Sequence, residues 1–384
     1  MHRSTRPLAT MDPVVGLPRR TNGAQQPSIL DLPHASIVSR GRAAIALALA
    51  DAGVGAGDTV LMPAYNCPAM IAGVRAAGAQ AQFFPVTESL EIEPRDVLRA
   101  ADERTRAVLI PHFFAWRQSK ALFDSLANDT SWFVLEDCAH AFFGAHDGDV
   151  VGSWGHAAIA SVAKFFPSRW GGVVASARRP LSVRLTPSSS MYQLKLAANA
   201  AEEAAQFGRL AFASAGVRAL LGAVSTLRGK RAAPAQAAEA AAPAEDTSYA
   251  DVDLGRLHEQ GGWWVMQQLA DRGSFAPRAA RRLEMFRQLH EALSDLRLAR
   301  PLLADRPPDF PPYVYPLLLQ EQPDQHFQAL RERGVPMFRW EHSPAGRCAV
   351  TDHYRTSVIQ LPCHDALTAA ELASIVAAVR EQLG

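Results

Sequence analysis

Between residues 59 and 137 short apolar runs alternate with helix-like stretches, and no other feature constrains the fold of this chain as tightly. Residues 59–64, 79–86, 107–114 and 132–137 read as strands, and residues 68–77, 94–101 and 122–128 as helices. Near-continuous apolar strands separated by helices predict an α/β architecture with a mostly parallel sheet covered on both faces. Right-handed crossovers place the carboxyl ends of such strands on one edge, where open α/β sheets bind their ligands. That edge carries Tyr65 and Asn66, then His112, then Asp137 and His140, then Ser161 and Lys164.

Lys164 is the residue there with the most specific chemistry. It ends an apparent strand, between Val162, Ala163, Phe165 and Phe166. Apolar neighbours disfavour the charged ammonium, so the pKa of Lys164 is expected to fall toward the range where a neutral amine can attack a carbonyl. Taken alone, such a lysine is more often a packed stem with a solvated head. Upstream, the strand 132–137 delivers Glu136 and Asp137 at its carboxyl end. A carboxylate that keeps a pyridine nitrogen protonated, beside an amine that forms an imine, is the pair that pyridoxal phosphate requires.

Residues 40–53 read as a helix opening at Gly41 and closed by Gly53. Its first N–H groups and the positive end of its dipole make the Gly41, Arg42, Ala43 turn a candidate phosphate site. Residues 1–30 are expected to be a flexible tail, 31–250 the large cofactor-binding domain, and 251–384 a smaller α+β domain. Within the large domain, residues 191–205 and 207–227 read as helical, and the Ala/Pro-rich run 231–246 as a mobile linker. Further helices are expected over 254–271, 276–296, 327–333 and 368–383, with strands from Tyr313 and around residues 337–339. On the helix 276–296, Arg281 and Arg282 are expected to face solvent or a partner. The cleft between lobes is the expected substrate site.

Composition narrows the class. Lys plus Arg exceed Asp plus Glu by 39 − 38 = 1, so no net field recruits nucleic acid or an anionic membrane. Four cysteines, Cys67, Cys138, Cys348 and Cys363, lack disulfide-framework or zinc spacing, which suits a reducing cytoplasm without a structural metal. No apolar run is long enough to span a bilayer, and the basic N-terminus has no following apolar core of the secretory kind.

Seven stretches in fixed order resemble the DegT/StrS-like aminotransferases of pyridoxal-phosphate fold type I: GRAAIALAL from Gly41, GAGDTVLMPAYNCPA from Gly55, GAQAQFFPV from Gly78, RTRAVLIPHFFAW from Arg104, VLEDCAHAFFG from Val134, VGSWGHAAIAS from Val151 and AKFFPSRWGGVV from Ala163. GVPMFRWEHSP from Gly334 and LPCHDALTAAEL from Leu361 extend the likeness toward the C-terminus. The resemblance implies a large domain of fold type I with a smaller C-terminal domain, and pyridoxal 5'-phosphate as cofactor. It makes Lys164 the cofactor-bearing lysine, Asp137 the partner of the pyridine nitrogen, and His140 the residue against the ring. It assigns phosphate contacts to Ser161 and to Gly41, Arg42 and Ala43, and puts Tyr65 or Cys67 near the ring-stacking aromatic. It also implies a homodimer with shared active sites, residues around Trp170 and Arg339 serving the neighbouring chain.

Two departures mark a divergent branch. The serine stands three residues before the lysine, 164 − 161 = 3, rather than five, and only Gly171 and Gly172 remain of the glycine-rich run. The activity implied is transfer of an amino group from an amino acid, glutamate in the first place, to a keto acceptor such as a nucleotide-linked keto-sugar, in polysaccharide or secondary-metabolite biosynthesis. The same scaffold allows dehydration or other α-carbon chemistry as one alternative, and a non-catalytic regulatory protein as another.

Overall fold

A computed structural model describes residues 7–14, 25–182, 184–207, 209 and 256–384. The first half of the chain runs β1 (His34–Val38), α1 (Gly41–Asp51), β2 (Thr59–Pro63), α2 (Pro68–Ala76), β3 (Gln80–Phe84), α3 (Pro94–Ala100), β4 (Thr105–Pro111), α4 (Lys120–Asp129) and β5 (Phe133–Asp137). A short hairpin, β6 (Ala145–His146) and β7 (Asp149–Val150), leads to β8 (Ala157–Ser161) and β9 (Gly172–Ser176). Seven of these strands form one sheet in the order β1, β9, β8, β5, β4, β2, β3. The five from β3 to β8 are parallel, while β9 and β1 close that edge antiparallel. This is the α/β architecture with a mostly parallel sheet that the alternation predicts.

Burial explains the composition of these strands. All five residues of β2 and of β9 are buried, because core clusters cover both faces of the sheet. Helix α1 is apolar around most of its circumference, with Ala43 to Leu49 all buried, since it lies between the sheet and α2.

The chain continues through α5 (Ser190–Gln206), α6 (Trp263–Ala270), α7 (Phe275–Leu293), β10 (Ala299–Pro301), β11 (Val314–Leu319), α8 (Pro323–Glu332), α9 (Ala349–Ser357), β12 (Val358–Pro362) and α10 (Ala369–Leu383). The three strands β10, β11 and β12 make an antiparallel sheet, and a Thr368–Glu371 capping box starts α10. The two sheets share one core: Phe142 and Phe165 from the larger unit lie in the same cluster as Phe275, Tyr315 and Val358.

Several expectations change. Residues 337–339 form no strand; Phe338 makes a single bridge to Gln360, and the partner of β11 is β12. Of 254–271, only Trp263–Ala270 is helical among the described residues, because Gln260 bridges Val38 and the Ser39 N–H donates to the Glu259 carbonyl. Within the expected tail, Ala9, Thr10, Val14 and Ile29 are buried, so residues 7–14 and 25–30 belong to the fold. The 231–246 linker and most of 207–227 lie outside the described residues. Among the described residues no helix is long and apolar enough to cross a membrane.

Candidate active site

Strand β8 delivers Ser161, and the chain then turns tightly, the Phe165 and Phe166 N–H groups both donating to the Val162 carbonyl at 3.0 and 2.9 Å. The two phenylalanines point into the core, where Phe166 meets Phe142 at 5.1 Å and Phe275 at 5.3 Å between ring centroids. They anchor the turn, leaving Lys164 half-buried with its Nζ 5.0 Å from the Tyr313 ring centroid. A cation over an aromatic face is held by the ring quadrupole.

Arg282, expected at a surface, is wholly buried. Its Nη2 donates to the carbonyls of Lys164 (3.0 Å) and Phe165 (3.2 Å), and its Nη1 to those of Pro312 (3.0 Å) and Cys363 (3.2 Å). Asp365, 3.5 Å away, supplies the counter-charge. Only a guanidinium fork can serve four carbonyls from one point, which is why an arginine is tolerated here.

Asp137 closes β5, buried, with its Oδ1 accepting from the Ala139 N–H at 2.8 Å. Burial pushes its carboxyl up, and the Ala139 N–H, Lys164 and His112 pull it back. His140 follows one turn later. The Phe114 N–H donates to its Nδ1 at 3.2 Å, which puts the ring hydrogen on Nε2. Burial, aided by the charge on Lys164, holds His140 well below the usual histidine range, so the ring is neutral. Tilted rings surround it, with centroids at 5.3 Å (Tyr313), 5.4 Å (Phe114) and 5.6 Å (Trp340). Cys67 lies in the field of both Lys164 and Asp137, its thiol raised by burial.

Two strand-end residues have other work. Gln118 N–H donates to His112 Nδ1 at 3.1 Å, so His112 Nε2 donates to Glu136 Oε1 at 2.9 Å. Glu136 also accepts from the N–H groups of Gly152, Trp154 and Gly155. Burial alone would raise this carboxyl, but His112 and those N–H groups outweigh it and hold Glu136 below the usual range. The pair braces the β6–β7 region and is not open for a ligand.

The helix start expected to bind phosphate faces Ser161. The first helical bond of α1 runs from Ala44 to Arg40, so Gly41, Arg42 and Ala43 form its opening turn. A Cβ on Gly41 would sit 3.6 Å from Ser161 Cβ, so the two candidate phosphate contacts are neighbours. Gly171 and Gly172 hold them there. Gly171 (φ 110°) donates to the Ser39 carbonyl at 2.7 Å and accepts from Val162 N–H at 3.0 Å. A side chain on Gly172 would overlap the Arg40 carbonyl.

Tyr65 is placed differently from its expected stacking role: its ring is fully buried against Trp340 (4.9 Å), Tyr354 (5.9 Å) and Phe113 (6.0 Å). Arg339, expected to reach a neighbouring chain, is engaged within its own, with Asp324 at 2.7 Å and Glu341 at 2.9 Å. Trp170 stacks under the Arg40 guanidinium at 3.4 Å.

The strand-end groups all lie between Ser28 and Ala175. Residues 28–175 match the DegT/DnrJ/EryC1/StrS aminotransferase family. The resemblance read in the sequence is therefore shown over that segment. Among curated relatives, GDP-perosamine synthase of Vibrio cholerae is 31% identical over 150 residues, 38% of this chain and 41% of that protein. A pleiotropic regulatory protein of Geobacillus stearothermophilus is 33% identical over 139 residues, 35% of this chain and 36% of that protein. L-glutamine:scyllo-inosose aminotransferase of Streptomyces griseus is 35% identical over 129 residues, 33% and 30%. The alignments thus span less than half the length of these relatives. Structural likeness reaches further: DesV of S. venezuelae superposes with a TM-score of 0.61 at 18% identity, over 92% of this chain and 85% of that one. The Helicobacter pylori aminotransferase PseC gives 0.62 at 14% identity over 98% of both. At such identities the likeness establishes the fold.

Three groups near Lys164 carry little signal in the sequence. Arg282 has the clearest one: Phe275, Ala279, Arg282, Phe286, Leu289 and Leu293 recur at spacings of four and three, which puts the arginine on the buried stripe of α7. Tyr313 reads as one more apolar strand residue, and Asp12, whose carboxylate accepts from Tyr313 Oη at 2.9 Å, lies far away in sequence. Neither carries a local pattern.

Proposed function

We propose that this chain is a pyridoxal-phosphate-dependent aminotransferase that moves an amino group from an amino acid, glutamate or glutamine, to a keto acceptor of the sugar or cyclitol class. The observation that carries the reading is the placing of Lys164, Asp137 and the neutral His140 ring in one electrostatic neighbourhood at the strand ends, beside a helix start facing Ser161. The acceptor class follows from relatives whose names specify GDP-perosamine and scyllo-inosose.

The residues fit the cofactor by their chemistry. Lys164 offers the amine for its aldehyde, Asp137 the carboxylate for its pyridine nitrogen, His140 a flat neutral face, and Ser161 with the Gly41, Arg42 and Ala43 N–H groups a cradle for its phosphate. When bound, pyridoxal phosphate supplies the electron sink for the charge left when the donor's α-carbon loses a proton. With the cofactor bound, Lys164 would be the base that takes that proton and returns it. Asp137 would hold the proton on the cofactor's pyridine nitrogen. The Phe113, Phe114, Tyr65 and Trp340 cluster excludes water from the side on which His140 stands.

Exposed Met191 and Leu194 on α5, with Trp263 and Met266 on α6, at 77%, 65%, 60% and 47% exposure, support pairing with a second copy through this face. Sedimentation of the purified protein as a monomer would remove that part of the reading.

The chain has four lysines, Lys120, Lys164, Lys195 and Lys230, which makes the test clean. Protein incubated with pyridoxal phosphate is expected to absorb in the visible region, and borohydride followed by peptide mapping to mark Lys164. Glutamate or glutamine should bleach the band, a keto acceptor should restore it, and Lys164→Ala should abolish both. A protein that takes up no cofactor, or is marked at another lysine, overturns the proposal. The regulatory relative favours a second reading, in which the cofactor binds without turnover; it would give the band and the label but no response to any amino donor.

A further inference from the structure

Residues 7–14 reach the site from the far end of the sequence. The Leu8 N–H donates to the Gly334 carbonyl at 2.8 Å, His364 Nε2 donates to the Thr10 carbonyl at 3.0 Å, and Ala9, Thr10 and Val14 are buried. Between these anchors Asp12 turns its carboxyl inward, its Oδ1 accepting from Tyr313 Oη at 2.9 Å. The Tyr313 ring is the one whose centroid lies 5.0 Å from Lys164 Nζ. Asp12 and Lys164 feel each other's charge, as do Asp12 and the Arg169–Glu203 ion pair.

We propose that Asp12 is a positioning residue of the Lys164 site: the N-terminal segment inserts its carboxylate beside the amine, the Tyr313 hydroxyl fixes it there, and the two together hold the ammonium over the ring. The hydrogen bond orients the carboxylate, the carboxylate stabilises the positive form of the amine, and the ring face limits where the amine can swing. The other titratable groups facing Lys164 are Asp137 at the end of β5, His140 beyond it and Cys67 before α2. Of the two carboxylates, Asp137 is turned to the Ala139 N–H, whereas Asp12 is turned to the Tyr313 hydroxyl; burial pushes the Asp12 carboxyl up, and that hydroxyl and the charge on Lys164 pull it back. The proposal rests on the reading of Lys164 as the functional amine, but it can be tested without cofactor.

In cofactor-free protein, acylation of Lys164 by acetic anhydride can be followed against pH by peptide mapping, with Lys120 as the internal reference. Asp12→Asn is expected to lower the midpoint of the Lys164 profile by about half a unit or more, since loss of a nearby negative charge disfavours the ammonium. Asp12→Glu should restore it. Tyr313→Phe, which frees the carboxylate without removing it, should move the midpoint the same way by less. His364→Asn serves as a control for loosening: better access raises the plateau rate and leaves the midpoint in place. A midpoint unchanged in Asp12→Asn overturns the proposal; if that variant fails to fold, an unchanged midpoint in Tyr313→Phe does the same. Because cofactor is absent, a wild-type chain that binds no pyridoxal phosphate would sink the aminotransferase reading and leave these profiles interpretable.

Discussion

The Arg282 guanidinium donates to the backbone carbonyl of Lys164 at 3.0 Å and to that of Pro312, the residue before Tyr313, at the same distance. One buried side chain of α7 therefore sets both the turn that carries the amine and the ring beneath it. Arg282→Met would take this donor from four buried carbonyls and leave Asp365 paired with Arg278 alone, and is expected to cost about 3–5 kcal/mol. Arg282→Lys, a point charge in place of a fork, should fall between. Urea denaturation gives the first number, and cofactor uptake by the folded fraction should drop in parallel. Wild-type stability in Arg282→Met would contradict this account.

Gly172→Ala addresses the phosphate cradle. The new methyl would press on the Arg40 carbonyl and come within 2.7 Å of the Gly41 nitrogen, displacing the start of α1. The affinity for pyridoxal phosphate is expected to fall about tenfold or more, or ~1.4 kcal/mol. Pyridoxal, which lacks the phosphate, should lose less. Parallel absorbance titrations with the two compounds would show whether the loss tracks the phosphate.

Adjacent acids on β5 should fail in different ways. Glu136→Gln weakens acceptance from three N–H groups and His112, so stability is expected to drop by about 1–3 kcal/mol. Asp137→Asn should leave stability nearly intact and slow the glutamate half-reaction on the order of a hundredfold, since the pyridine nitrogen loses its counter-charge. Stopped-flow absorbance and thermal unfolding on both variants would separate the roles, and identical behaviour would refute the division.

His364 makes stability pH-dependent. Burial lowers its pKa from 6.5 to about 4, so the unfolded chain binds a proton between those values that the folded chain does not. Stability therefore rises with pH across that window and is lost as pH falls through it. From pH 7 to pH 5 the loss from this group is about 2 kcal/mol. His364→Gln should flatten that part of the curve, as followed by denaturant midpoints at several pH values; an unchanged slope would mean that His140 or another group carries it.

Much of the sheet was legible because its strands are buried on both faces and so read as unbroken apolar runs ending in polar residues. The strand-edge placing of Asp137, His140, Ser161 and Lys164 followed from that topology alone. What escaped is non-local. Whether Arg282 meets solvent depends on which face of α7 packs, and the charge obscured a heptad stripe that was there to be counted. Residues 256–262 run beside β1 through backbone bridges that side-chain periodicity does not encode. Tyr65 looked like a ring-stacking aromatic because it follows a strand, but Trp340, which buries it, comes from the other end of the chain.

The unbroken core between the two sheets limits how this protein can move. Parting them like jaws would strip Phe275 from Phe142, Phe143 and Phe166 and expose rings that now exclude solvent entirely. Residues 7–14, tied to Gly334 and His364 by single hydrogen bonds, can lift from the body at a far smaller cost than the two sheets can part.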